Sequence, residues 1–150
     1  MVDFMATIGW CRTHTHVPTR GGALTNRFQL SALDPNPVAP EDRISTEKLL
    51  DNYAHFLRAV LPAAEKARVQ MGLHPDDPPL SPLRGVGRIF SSPEGFARAM
   101  ALSDSPAHRI TFCQANFKAM GCDVAATAWR FADRIAFVHF RDVEGTAEDF

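Results

Sequence analysis

Three residues of unlike chemistry share one position in this sequence: each closes, or nearly closes, an apolar run of strand length. Val69 to Leu73 (VQMGL) runs into His74, Arg109 to Cys113 (RITFC) ends on Cys113, and Ile135 to Phe140 (IAFVHF) carries His139 beside its last residue. In sheets of parallel strands, ligands and catalytic groups collect at the carboxyl ends of the strands. Two imidazoles and a thiolate meeting at that rim form a donor set for a divalent transition ion such as Zn, Fe or Mn. Taken singly, a histidine between apolar neighbours is ordinarily a hydrogen-bonded core residue, and a lone buried cysteine is a small hydrophobe. Their common place at three successive strand ends is what singles them out.

Other residues can serve such a rim. Arg12 and Arg141 flank the first and last strands, and a guanidinium binds carboxylates through two parallel hydrogen bonds while staying charged at any working pH. Asp76, just beyond His74, can orient an imidazole or meet substrate hydroxyls. His14 and His16 alternate in THTH, but nothing places them beside the other three, so they read as exposed polar residues. Cys11 and Cys122 lie at no strand end and read as structural. Gly85-Val86-Gly87 neither follows a strand nor opens a helix, so it is not a phosphate-binding fingerprint.

The elements that must position these groups alternate between strand and helix, the βαβ pattern of a parallel α/β sheet. Phe4 to Trp10 reads as the first strand. Thr13 to Arg43 is polar and broken by Pro and Gly, roughly 30 residues without regular structure, a length that suits a functional loop. A helix starts at Ser45 or Thr46, carries Leu49, Leu50, Tyr53, Phe56, Leu57, Val60 and Ala64 on one stripe, and is expected to kink at Pro62. Val69 to Leu73 is a strand stopped by the prolines of His74 to Pro79. Ser92-Pro93-Glu94 opens a short helix to about Leu102. A strand over Arg109 to Cys113, a helix over Asp123 to Phe131 with Val124, Ala128, Trp129 and Phe131 inward, and a strand over Ile135 to Phe140 complete the pattern.

Composition limits the function. The 150 residues are 45% hydrophobic and 22% charged, with a formal net charge of −1, so no global positive field would gather a nucleic-acid backbone. No stretch approaches the roughly 20 apolar residues of a membrane span, and the amino terminus lacks the features of a signal peptide. Three cysteines are too few for a disulfide scaffold, which favours a reducing, cytoplasmic setting. A closed (β/α)8 barrel takes about 250 residues and rarely fewer than about 200, so this chain cannot complete one. Residues 1–150 are expected to form a single domain.

Taken together, several segments resemble the mannonate dehydratase family: Met71 to Pro79 (MGLHPDDPP), Ile110 to Cys113 after the Asp104-Ser105-Pro106 turn, and Arg134 to Arg141 (RIAFVHFR), in the same order. Phe4-Met5 with Trp10-Cys11-Arg12-Thr13 is similar to the Phe-Met strand and Trp-x-Arg-Thr turn of that family. The resemblance covers nearly the whole chain and is loosest from Thr13 to Arg43. It implies a xylose-isomerase-like TIM (β/α)8 barrel, of which this chain would be an incomplete piece of about four βα units, from the third strand to the sixth. It further implies a lyase of hexuronate catabolism that dehydrates D-mannonate to 2-keto-3-deoxy-D-gluconate at a divalent Mn or Fe, with His74, Cys113 and His139 as ligands. Arg12, Asp76 and Arg141 would meet the sugar acid. The family's further aspartate ligand, in a late Arg-Pro-Asp-His segment, has no counterpart in these residues, and no general base is assigned. Activity of the fragment alone is therefore not expected, while association into homo-oligomers is. The alternatives are a metal-dependent sugar isomerase or epimerase, and a non-catalytic remnant that keeps the ligands.

Overall fold

The computed structural model describes residues 1–150. In chain order its elements are β1 (His14–Pro18), β2 (Leu24–Arg27), α1 (Thr46–Ala67), β3 (Met71–Leu73), α2 (Pro93–Met100), β4 (His108–Cys113), α3 (Gln114–Ala119), α4 (Val124–Arg130) and β5 (Ile135–His139). Strands β3, β4 and β5 lie side by side in a parallel sheet in that order, while β1 and β2 form a separate antiparallel hairpin. Parallel neighbours require a crossover on one face of the sheet. Here α2 makes the first crossover and α3 with α4 the second. No helix is long and apolar enough to cross a membrane.

The helices start where short polar side chains satisfy their free N–H groups. The Ser45 hydroxyl accepts from the Lys48 amide at 3.1 Å, Ser92 from Gly95 at 3.1 Å, and Asp123 from Ala126 at 2.9 Å. Along α1, Leu49, Tyr53, Leu57 and Leu61 recur every fourth residue and are buried, so one stripe faces the sheet. They join Met71 and Leu73 of β3, Ile110 and Phe112 of β4, and Phe90, Phe96 and Phe117 in one core. Each such side chain contributes about 1.5–3 kcal/mol through burial. Strands β3 and β4 approach closely at Gly72, where the Thr111 hydroxyl donates to the Gly72 carbonyl at 3.0 Å. A Cβ on residue 72 would lie 2.5 Å from that hydroxyl.

Three expectations are corrected. Phe4 to Trp10 forms no strand: only Val2 bridges to Leu73, and the backbone beyond it is taken up elsewhere, with the Ile8 and Gly9 carbonyls accepting from Arg88. Thr13 to Arg43 is not without regular structure, because THTHVP and LTNR pair across a Gly21-Gly22 turn in which both glycines have positive φ. The expected helix α1 runs through Pro62 to Ala67. Pro62 lies on the solvent side, where water can take the carbonyl that its ring leaves without a donor. Trp129 is 82% exposed, because α4 turns Thr127 and then Phe131 inward and a residue two positions on from Thr127 points to the opposite side.

Candidate metal centre

Register brings the three strand ends together. Cys113 on β4 pairs directly with His139 on β5, and His74 follows the last residue of β3. The ligand-capable atoms of His74, Cys113 and His139 all lie within 4.8 Å of one another. Metal bonds to nitrogen or sulfur are about 2.0–2.3 Å, so two donors on one ion stand up to roughly 4.5 Å apart. The set therefore fits a single divalent ion after small side-chain shifts. Cys113 is fully buried, and the two imidazole rings meet at 5.2 Å between centroids, tilted by 55°.

His74 and Cys113 each have a hydrogen-bond partner that orients them. His74 Nδ1–H donates to the Pro75 carbonyl at 2.8 Å, which leaves the Nε2 lone pair for a metal. Burial depresses the pKa of His74, and nearby Asp3 opposes that shift. The neutral imidazole, the form that ligates, is thereby favoured. Arg141 Nε donates to Cys113 Sγ at 3.2 Å, and Arg141 Nη2 donates to Asn116 Oδ1 at 2.8 Å. The ring of Phe137 meets that of His139 edge-on at 5.4 Å.

The chain after β3 is buried from His74 to Pro79, and its polar groups are accordingly paired. The Asp76 carboxylate accepts from the Phe90 amide at 2.8 Å and stands 3.6 Å from the guanidinium of Arg88. The Asp76 carbonyl accepts from Asn116 Nδ2 at 3.1 Å. Burial outweighs Arg88 and pushes the pKa of Asp76 up to about 6. Its neighbour Asp77 is the residue that lines the cavity, and it takes both edges of a bidentate bond from Arg12 at 2.6 and 2.9 Å.

A wide cavity of about 1570 Å³ opens over the centre, lined among others by Asp3, His74, Asp77, Asn116, His139 and Arg141. Arg141 is half exposed there, whereas Arg12 is committed to Asp77. His14 and His16 sit on the exposed hairpin, and Cys122 donates to the Phe117 carbonyl at 3.0 Å. Sequence reasoning missed Arg88 and Asn116. Asn116 had a signal, three residues beyond Cys113, but Arg88 had none: a fully buried arginine is recognised only from the carbonyls of Ile8, Gly9 and Pro78 that surround it.

Comparison with known proteins places this chain in a lineage. The family model described as D-mannonate dehydratase (UxuA) matches residues 35–150. The mannonate dehydratase of Chromohalobacter salexigens is 41% identical over 105 residues, covering 69% of this chain and 27% of that protein. That of Bacillus subtilis is 31% identical over 173 residues, covering 95% and 48%. The crystal structure of mannonate dehydratase from Streptococcus suis serotype 2 superimposes with a TM-score of 0.86 and 35% identity, covering 99% of this chain and 44% of the other. The chain thus spans less than half the length of these relatives. A match across most of its residues, in sequence and in backbone, identifies it: the chain belongs to the D-mannonate dehydratase family.

Proposed function

We propose that this chain carries the metal-binding part of a hydro-lyase that converts D-mannonate to 2-keto-3-deoxy-D-gluconate. In this reading residues 1–150 are one domain, an incomplete (β/α)8 barrel of xylose-isomerase-like kind, working in the cytoplasm and inactive until the rest of the barrel is supplied. The observation that carries the reading is the convergence of His74, Cys113 and His139 within 4.8 Å at the carboxyl ends of three parallel strands.

His74, Cys113 and His139 would hold a divalent ion, Mn or Fe. When bound, the ion supplies Lewis acidity to the substrate carboxylate and its neighbouring hydroxyl, which acidifies the proton on C2. Arg141, half exposed at the cavity, would hold the sugar-acid carboxylate. Arg12 and Asp77 form the wall beside it, and Asp76 supports the His74 loop from behind. Loss of the C2 proton and departure of the C3 hydroxyl as water leave an enol that tautomerises to the 2-keto-3-deoxy acid. No residue of this chain is assigned as the base.

The test is product analysis by NMR with D-mannonate and Mn(II), using the chain alone and the chain joined to the remaining portion of a relative's barrel. The joined protein is expected to form the keto-deoxy acid and the chain alone is not. An isomeric sugar acid formed without loss of water would replace this reading with an isomerase. No conversion by a folded, metal-loaded joined protein would favour a non-catalytic remnant.

A further inference from the structure

Arg141 does more at this centre than face the cavity. Its Nε–H points at Cys113 Sγ, 3.2 Å away, and its Nη2 donates to Asn116 Oδ1 at 2.8 Å. Nε and Nη2 lie on one edge of the guanidinium, so the planar fork grips two acceptors at once. Asn116 is itself fixed: it is buried, and its Nδ2 donates to the Asp76 carbonyl at 3.1 Å. The backbone aims the arginine as well. The Arg141 amide donates to the His139 carbonyl at 3.0 Å, a three-residue turn just past β5 that folds Arg141 back beside His139. His139 and Arg141 therefore reach the same centre from one strand end, one as a ligand candidate and the other as a donor to the neighbouring ligand.

We propose that Arg141 is a positioning residue for the Cys113 sulfur, fixing its direction and withdrawing charge from it through the Nε–H···Sγ bond. This rests on the reading of His74, Cys113 and His139 as metal ligands. Outer partners of ligating side chains set both ligand orientation and donor strength. Arg141 Nη2 also stands 3.8 Å from the Asp77 carboxylate, which leaves Nη1 for an anion in the cavity, so one residue would join sulfur and substrate carboxylate. A lysine could supply the charge but not the fork, because its ammonium has no second donor fixed in the same plane.

The experiment uses the 150-residue chain loaded with Co(II), whose sulfur-to-cobalt charge-transfer absorption reports on the thiolate in the absence of substrate. Arg141→Met and Arg141→Lys are both expected to move that absorption to lower energy, as a less hydrogen-bonded thiolate gives up electron density more readily. Circular dichroism confirms that the variants stay folded, which half exposure of Arg141 favours. A wild-type absorption that neither substitution shifts overturns this inference while leaving the metal reading intact. Rescue by Arg141→Lys also overturns it, since charge alone would then suffice. A wild-type chain that shows no sulfur-to-cobalt absorption overturns the metal reading and this inference together.

Discussion

Arg12 and Asp77, 65 residues apart, form a bidentate ion pair with N···O distances of 2.6 and 2.9 Å. The side chains are 9% and 8% exposed, and the guanidinium lies over the rings of Trp10 at 4.5 Å and Phe150 at 4.8 Å. The pair ties the segment after Val2 to the loop that carries His74. Breaking a buried pair from one side leaves an uncompensated charge, which costs about 3–5 kcal/mol. Arg12→Met and Asp77→Asn are each expected to cost that much in urea unfolding, and the double variant less than the sum. Single costs near the roughly 0–1 kcal/mol of an exposed pair would show that the link carries no structural weight.

A second buried pair sits at the opposite end of the sheet. Tyr53 on α1 donates its hydroxyl to His108 Nε2 at 2.7 Å, and the other ring nitrogen of His108 faces the Ser103 carbonyl at 3.3 Å. Tyr53→Phe keeps the packing and leaves Nε2 without a partner, so it is expected to cost about 1–3 kcal/mol. A cost below roughly 0.5 kcal/mol, the ordinary range for surface substitutions, would mean the bond contributes nothing.

Burial also holds the pKa of His108 below its usual 6.5. The unfolded chain then takes up the proton before the native state does. Stability from this group is complete above about pH 6.5 and is lost as the pH falls toward and through the lower native value. Asp76 acts in the opposite sense: its native pKa is raised to about 6, so its contribution is present at low pH and is lost as the pH rises through that value. Comparing wild type with His108→Gln cancels the Asp76 effect. The urea midpoint of wild type should fall more steeply than that of the variant below pH 6.5, and parallel curves would exclude His108 as the source.

What could be read from the residues divides along a physical line. Helix α1 was legible because its cap and its apolar stripe are local, and the centre was legible because strand ends are marked by where apolar runs stop. Phe4 to Trp10 looked like a strand because its apolar content is real. What decides its conformation is Arg88, about 80 residues away, and the loop after His74. Asp76 and Asp77 are equivalent in sequence, yet Phe90 takes one and Arg12 the other. Helix α3 escaped notice because it begins immediately after Cys113, where the strand pattern ends without any turn residue. The hairpin did have a signal in the alternation of THTHV and the paired glycines, but its polar character concealed it.

Strand β5 and the residue after it leave apolar side chains in water, with Phe137 57%, Val138 46% and Phe140 89% exposed. The strand is also the edge of the sheet, and an apolar edge strand is a template for pairing with another chain. Sedimentation of the chain is expected to show association that grows with concentration. Phe137→Lys with Phe140→Lys should suppress it, since charge on an edge blocks pairing. A monodisperse wild-type monomer with a cooperative melt would overturn the reading of the chain as part of a barrel.

The two cysteines beyond β3 separate ligation from packing. Cys113 Sγ belongs to the three-residue cluster and is fully buried, whereas Cys122 is half-buried, lies just before α4 and donates to the Phe117 carbonyl. A metal-bound thiol is held as thiolate, and serine replaces that soft anion by a hard, neutral hydroxyl. Loss of an outer partner already costs about 10- to 100-fold in metal affinity, so Cys113→Ser should cost at least as much. Cys122→Ser keeps a donor for the Phe117 carbonyl and should change affinity little. Metal content after dialysis, measured on both variants, decides the matter: equal losses at the two positions, or no loss at Cys113, would remove Cys113 from the ligand set.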